Sequence, residues 1–453
     1  MNPPPPAGPG SFPAAVGTQG PGLTDALSYP YFEALFDRKS RRVALGMEIP
    51  QGVLAYESPY VPVPLTELEE ALLLMAGTGL AGLNLADIDP SMGADALVQW
   101  TARTWPSSCS NHGTELFYTN DDGLYFLDMW NMQPEPGELA TVAGKPIEKQ
   151  AEVLVEMARR GKRTLQDGRA DLPANLPGLF AFNLWNANKP GTSLFLPISN
   201  MTFEYMNLLF IYFSEGYRFT LLDERNGYQP AGLQKWIDKG RLDPTRRMGL
   251  VEIEQRVLSM QVVEQAFMCQ NMNIAMQTMG LGGWTYTGFI SSYVLGAMDV
   301  EGLGFRHIQP KEGPLVPVGR DGAFEALCPP YHASMSDAVD AFLEQKWGQY
   351  ENNIPKAING SDAIVASIPR PTTETIEIVK DFCEYVYEAY GRFPANLDPM
   401  YQRLACQVQH IDTDFYDEHY PPGAYTDQHT EHFRRWHPEQ CDEHGKPPRR
   451  TDA

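Results

Sequence analysis

Cysteine is scarce in these 453 residues. The six present, at positions 109, 269, 328, 383, 406 and 441, include no Cys-x-x-Cys pair. They offer neither a disulfide framework nor a thiolate metal site, and they fit a reducing cytoplasm, the expected location. Positive charge is also short: 35 Lys and Arg stand against 57 Asp and Glu, a net charge of −22. Such a chain repels phosphate backbones and anionic lipid at long range, so neither nucleic acid nor a membrane is expected as its main partner. The first 24 residues carry no charged side chain and are broken by prolines, so no secretory signal is expected. The longest uncharged run, Ala266–Met298, is interrupted by Gln270, Asn271, Asn273, Gln277 and several glycines, and reads as buried core rather than a membrane span. A Walker loop, a dinucleotide-binding fingerprint and a Gly-x-Ser-x-Gly elbow are all missing. No repeat recurs at a period of about 20–50 residues.

What is present begins with a tail over 1–22 that holds seven prolines and five glycines and is expected to be disordered. Tyr31, Phe32, Leu35 and Phe36 then fall at helical spacing. Thr66 with Glu69 three residues on is a capping box, opening a helix that Gly77 can close. "ELFYTNDDGLYFLDM" reads as a hairpin over Leu116–Thr119 and Leu124–Met129. Further helices are expected over Pro146–Gln166, Leu250–Met279, Met335–Trp347 and Thr373–Tyr390, with a helix, turn and strand in "YMNLLFIYFSEGYRFTLL".

Three separated stretches call for one explanation. "DRKSRR" gathers Arg38, Lys39, Ser40 and Arg42 at the end of the first helix, on an acidic background. "RTWPSSCSNH" places Pro106, Ser107, Ser108 and Asn111 just before a strand. "MGLGGWT" puts Gly282, Gly283 and Trp284 at the end of the long central helix. Singly, each has a plain reading: a solvated basic face, an ordinary turn, a helix stopped by glycine. Together, in this order, they resemble the nitroreductase family of flavoproteins.

That resemblance spans roughly residues 23–347 and implies an α+β fold, a mixed sheet with helices on both sides, carrying FMN. By it, Arg38, Lys39, Ser40 and Arg42 hold the flavin phosphate, Pro106, Ser107, Ser108 and Asn111 lie against the ring, and Gly282, Gly283 and Trp284 approach its edge. It also implies a homodimer with flavin at the subunit interface, NADH or NADPH as hydride donor, and an electron-poor small-molecule acceptor such as a quinone or nitro compound. No side chain is expected as an obligatory catalytic base. Two other uses stay open: a peptide-modifying dehydrogenase working with a partner protein, because azoline-oxidising relatives resemble the same loop, and a flavin- or protein-binding scaffold without turnover.

Residues 167–247 have no counterpart in the minimal family. They read as an insertion whose aromatics, Phe203, Tyr205, Tyr212, Tyr217 and Tyr228, either line a substrate pocket or are simply core. Residues 348–453 read as a helical, His-rich extension able to wrap a partner subunit. It holds His410, His419, His429, His432, His437 and His444. His429 and His432 could share a helical face, with Asp412, Asp414 and Asp417 nearby in sequence, but no tight metal signature is present and no metal is expected.

Overall fold

The computed structural model describes residues 21–83, 101–129, 131–132, 147–172, 179–297, 301–353 and 370–450. Residues 1–20 of the expected tail lie outside them. The described chain is α+β, the class expected.

Its centre is a sheet of β1 (Thr114–Thr119), β2 (Gly123–Leu127), β3 (Lys162–Asp167), β4 (Thr192–Asn200), β5 (Gly282–Tyr286), β6 (Met400–Tyr401) and β7 (Ala405–Gln409). The order across it is β5-β7-β4-β1-β2-β3, with β6 also pairing β4. Every one of these pairings is antiparallel. A mixed sheet was expected; among the described strands the parallel pairing sits in a small separate sheet, Arg247–Gly249 beside Thr220–Asp223.

The period-2 alternation of the strands divides the interior in two. Phe117, Leu194, Leu196 and Ile198 face one core; Leu116, Tyr118, Phe195 and Val408 face the other. Helices cover both faces. α1 (Pro21–Ser28), α3 (Glu67–Thr78) and α4 (Ile147–Gly161) lie on the second core, and α5 (Met201–Tyr212), α7 (Met335–Asn353) and α8 (Thr373–Tyr390) on the first. The long α6 (Leu250–Met279) serves both: Ile253 and Val257 join the first core, and Met268, Met272 and Met276 the second. α2 (Tyr31–Asp37) buries only Ala34 and leaves its aromatics outside.

Two segments differ from their sequence reading. The helix expected over 146–166 ends at Gly161, and Lys162–Asp167 turns back as edge strand β3. Residues 167–247 supply the middle strand β4, buried at all nine positions, and the core helix α5. Phe203 and Tyr205 are therefore core residues, the latter stacked on Phe393. In the C-terminal part, β7 completes this chain's own sheet between β5 and β4, and α9 (Thr413–His419) and α10 (His432–Trp436) follow it. Among the described residues no helix is long and apolar enough to cross a membrane.

Candidate functional site

After α2 the chain runs across the end of α6 and along β5. Arg41 N–H donates to Gly283 O at 3.0 Å, and Gln409 Nε2 donates to Arg41 O at 3.2 Å. This crossing explains the glycines locally. Gly280 ends α6 in the left-handed region (φ 77°), and a Cβ there would lie 2.2 Å from Gln428 O. At Gly282 a Cβ would meet the Ile411 side chain at 1.9 Å and Arg41 O at 3.2 Å.

The basic knot splits into an inner and an outer part. Arg41, which the site reading omitted, is 2% exposed. Its guanidinium donates to Ala424 O (2.9 Å), Gln277 Oε1 (3.0 Å) and Asp37 O (3.2 Å). Burial lowers its pKa, although nearby Tyr416 and Asp37 offset part of this. Lys39 Nζ donates to Gly423 O at 2.9 Å. Arg38 Nε is buried with no hydrogen-bond partner. Arg42 points outward and lies on the face of Trp284, 4.5 Å from the ring centre. Lys39, Ser40, Arg42, Trp185 and Tyr416 line a cavity of about 330 Å³.

Beside it, β5 turns Trp284 and Tyr286 to one face, their rings stacked at 3.7 Å. Trp284 Nε1, Tyr286 OH and both amide atoms of Asn183 and Asn186 are buried without hydrogen-bond partners. The turn carrying these asparagines is held against the sheet, since Gln407, opposite Trp284, donates to Asn186 O at 2.8 Å. Such buried polar groups without partners are costly in water's absence, and the wall they form adjoins the cavity through Arg42, which lines the one and lies on Trp284 of the other. A larger cavity, about 700 Å³, lies elsewhere near Asp223, but that carboxylate already accepts from Tyr385 (2.8 Å) and Tyr390 (2.6 Å).

The structure brings Arg38, Lys39, Ser40 and Arg42 together with Gly282, Gly283 and Trp284. It sets Pro106, Ser107, Ser108 and Asn111 elsewhere. Ser107 Oγ donates to Glu264 Oε1, and Asn111 Nδ2 to Glu204 Oε2 at 2.5 Å. Glu264 and Gln277 are thirteen positions apart on α6, roughly 20 Å at 1.5 Å per residue. Within one chain the two halves do not meet. The loop has two non-glycine residues in the left-handed region, Ser110 (φ 52°) and His112 (φ 48°), a backbone cost commonest at functional sites. Both glutamates under it are buried. Burial pushes Glu264 up to about 7, and burial with the neighbouring Glu264 charge pushes Glu204 up to about 8.

A second constellation joins distant parts of the chain. Glu69 in the first turn of α3, His410 just after β7, and His432 and His437 around α10 place ligand atoms within 4.8 Å of one another, all four side chains buried. Glu69 Oε1 lies 3.0 Å from His432 Nε2, 3.1 Å from His437 Nε2 and 3.4 Å from His410 Nε2. The grouping weighed from sequence does not form: Asp412 caps α9 and accepts from Tyr56, Asp414 pairs with Tyr60 and Lys446, Asp417 accepts from Tyr425, and His429 Nδ1 meets Thr426. The crowding of histidines in the tail was a signal for three of the four. Glu69 carried none, because its capping-box role accounts for it.

No protein-family model matches the chain, and no curated protein does. Among solved structures the chain is similar to one from Ralstonia eutropha, named as a "putative nitroreductase", at 13% identity over 64% of this chain and 82% of that one, with a TM-score of 0.27. A score so low leaves the reading of the site to its own residues.

Proposed function

We propose that the cavity lined by Lys39, Ser40, Arg42, Trp185 and Tyr416 holds FMN, and that the protein is an FMN-dependent oxidoreductase. The observation that supports this most is the Arg42–Trp284 stack, set beside unpartnered Trp284 Nε1, Tyr286 OH, Asn183 and Asn186 on one side and unpartnered Arg38 Nε on the other. Arg38, Lys39, Ser40 and Arg42 would hold the phosphate, since guanidinium groups grip its oxygens with paired, charge-assisted bonds. The buried amides and Tyr286 OH would satisfy the polar rim of the ring. When bound, FMN supplies hydride transfer, taking it from NADH or NADPH and delivering electrons to an electron-poor quinone or nitro compound. The chain's own part is to bind, orient and keep water from the ring; no side chain acts as an obligatory base.

The reading includes a homodimer. α2 exposes Tyr31 (59%), Phe32 (69%) and Phe36 (78%) in a row, an apolar face that a second copy would cover. A dimer also lets the Pro106–Asn111 loop of one copy approach the cavity of the other, which one chain alone does not allow.

Arg38→Ala tests the phosphate role. The purified variant should bind FMN ~10–100-fold more weakly than the wild type, by the quenching of flavin fluorescence, as loss of one charged hydrogen bond implies. FMN binding at wild-type strength would remove Arg38 from the site.

A further inference from the structure

We propose that Glu69, His410, His432 and His437 bind a zinc ion in a closed, four-ligand site that fastens the C-terminal segment to the rest of the fold. The tautomers argue for it first. His410 Nδ1 lies 2.9 Å from Val63 O and His432 Nδ1 lies 2.8 Å from Met279 O. A carbonyl only accepts, so each Nδ1 carries the hydrogen, and it is the Nε2 of the neutral ring that presents a lone pair. This is the outer-shell arrangement that aims imidazole at a metal.

Those lone pairs face the Glu69 carboxylate and His437 Nε2, which can supply at most one hydrogen to the group. His410 Nε2 is 3.1 Å from His437 Nε2. His432 Nε2 is 3.0 Å from Glu69 Oε1 yet makes no aligned hydrogen bond. The second carboxylate oxygen is already occupied, accepting from Thr66 N (2.6 Å) and Thr66 Oγ1 (2.8 Å). The site therefore gathers acceptors around a point without a donor for each, in the dry interior, where exposure is 0–2% for the four side chains. A cation at the centre resolves the conflict.

The geometry selects the ion. Metal–ligand distances of about 2.0–2.1 Å for zinc imply tetrahedral edges of roughly 3.3 Å; four of the six separations run from 3.0 to 3.4 Å, and all six lie within 4.8 Å. Three imidazoles and one carboxylate suit zinc better than calcium or magnesium, which take oxygen, or copper(I), which takes sulfur. Four protein ligands and no exposure leave no open position for substrate, so the role is structural. The ion would join α3, the residue after β7 and α10, with Val63 and the last residue of α6 as outer supports. This site is independent of the flavin reading.

The full-length chain, purified without added metal, should carry about one zinc per chain by elemental analysis. A strong chelator should lower its melting temperature and zinc should restore it. Exchange with cobalt(II) should give the intense visible bands of a tetrahedral ion with nitrogen and oxygen ligands. His437→Ala and Glu69→Gln should each lose most of the zinc; where a variant fails to fold, the cobalt spectrum of the wild type decides. A wild-type protein that takes up neither zinc nor cobalt, or whose melting temperature neither ion nor chelator moves, overturns the proposal. So does a folded His432→Ala, His437→Ala double variant that keeps its zinc, or a native ion that proves to be another metal.

Discussion

Arg41→Met will cost about 3–5 kcal/mol of folding stability, read as a fall in the urea midpoint followed by circular dichroism. The variant keeps the apolar stem and its volume but removes every donor. Asp37 O, Ala424 O and Gln277 Oε1 then lose their partner in a place where Arg41 is 2% exposed. An unmade buried hydrogen bond carries the full desolvation cost of the group left behind, and several are left here. Gln277 also reaches Thr426, so the loss loosens the α6 terminus, the start of the basic segment and the 424–426 turn together. A loss under about 1 kcal/mol would show that water replaces the guanidinium and that the crossing is not held by it.

Raising the pH from about 6.5 to 9 should weaken the protein by on the order of 3–5 kcal/mol, contrary to the pattern of acid denaturation. Burial raises Glu115 to about 8 against the nearby Arg103 and Glu204 to about 8 with help from Glu264. It raises Glu254 to about 7 although Ala395 and Asn396 donate to it, and Glu264 to about 7 although Ser107 and Thr114 do so. The sign follows from proton counting. The folded chain holds protons on these carboxyls above 4.5, where the unfolded chain has released them. Their stabilising contribution is complete below the unfolded value and is lost as pH climbs through 7 and 8. Urea midpoints at pH 6.5, 7.5 and 9 measure it. Glu204→Gln should flatten the dependence, since the amide mimics the protonated form; a midpoint rising with pH in the wild type would contradict the account.

Much of the helical framework was legible because its signals are local. The apolar spacing of Leu250–Met279 and its glycine stop, Thr373–Tyr390 before a left-handed Gly391 (φ 66°), and the Thr66–Glu69 capping box all appear where the sequence places them. The middle strand β4 was not. It is buried on both faces and so lacks alternation, and Pro197 inside it reads as a break. β7 hides similarly, because Gln407 and Gln409 are polar yet 0% exposed, bonded to the 186–188 turn and to the Arg41 backbone. At the candidate site, the charge of the 38–42 segment was visible, but its division into a buried Arg41 and an outward Arg42 depends on what crosses it. The Glu69–histidine cluster depends on contacts more than 340 positions apart, which no local pattern encodes.

The absorbance spectrum of the chain purified without added cofactor, then loaded with FMN and mixed anaerobically with NADH or NADPH, tests the central claim most directly. The account predicts flavin bands that bleach on addition of one of the nucleotides and return when a quinone is admitted. A protein that stays colourless and takes up no FMN, or a bound flavin that neither nucleotide bleaches, would contradict the oxidoreductase reading.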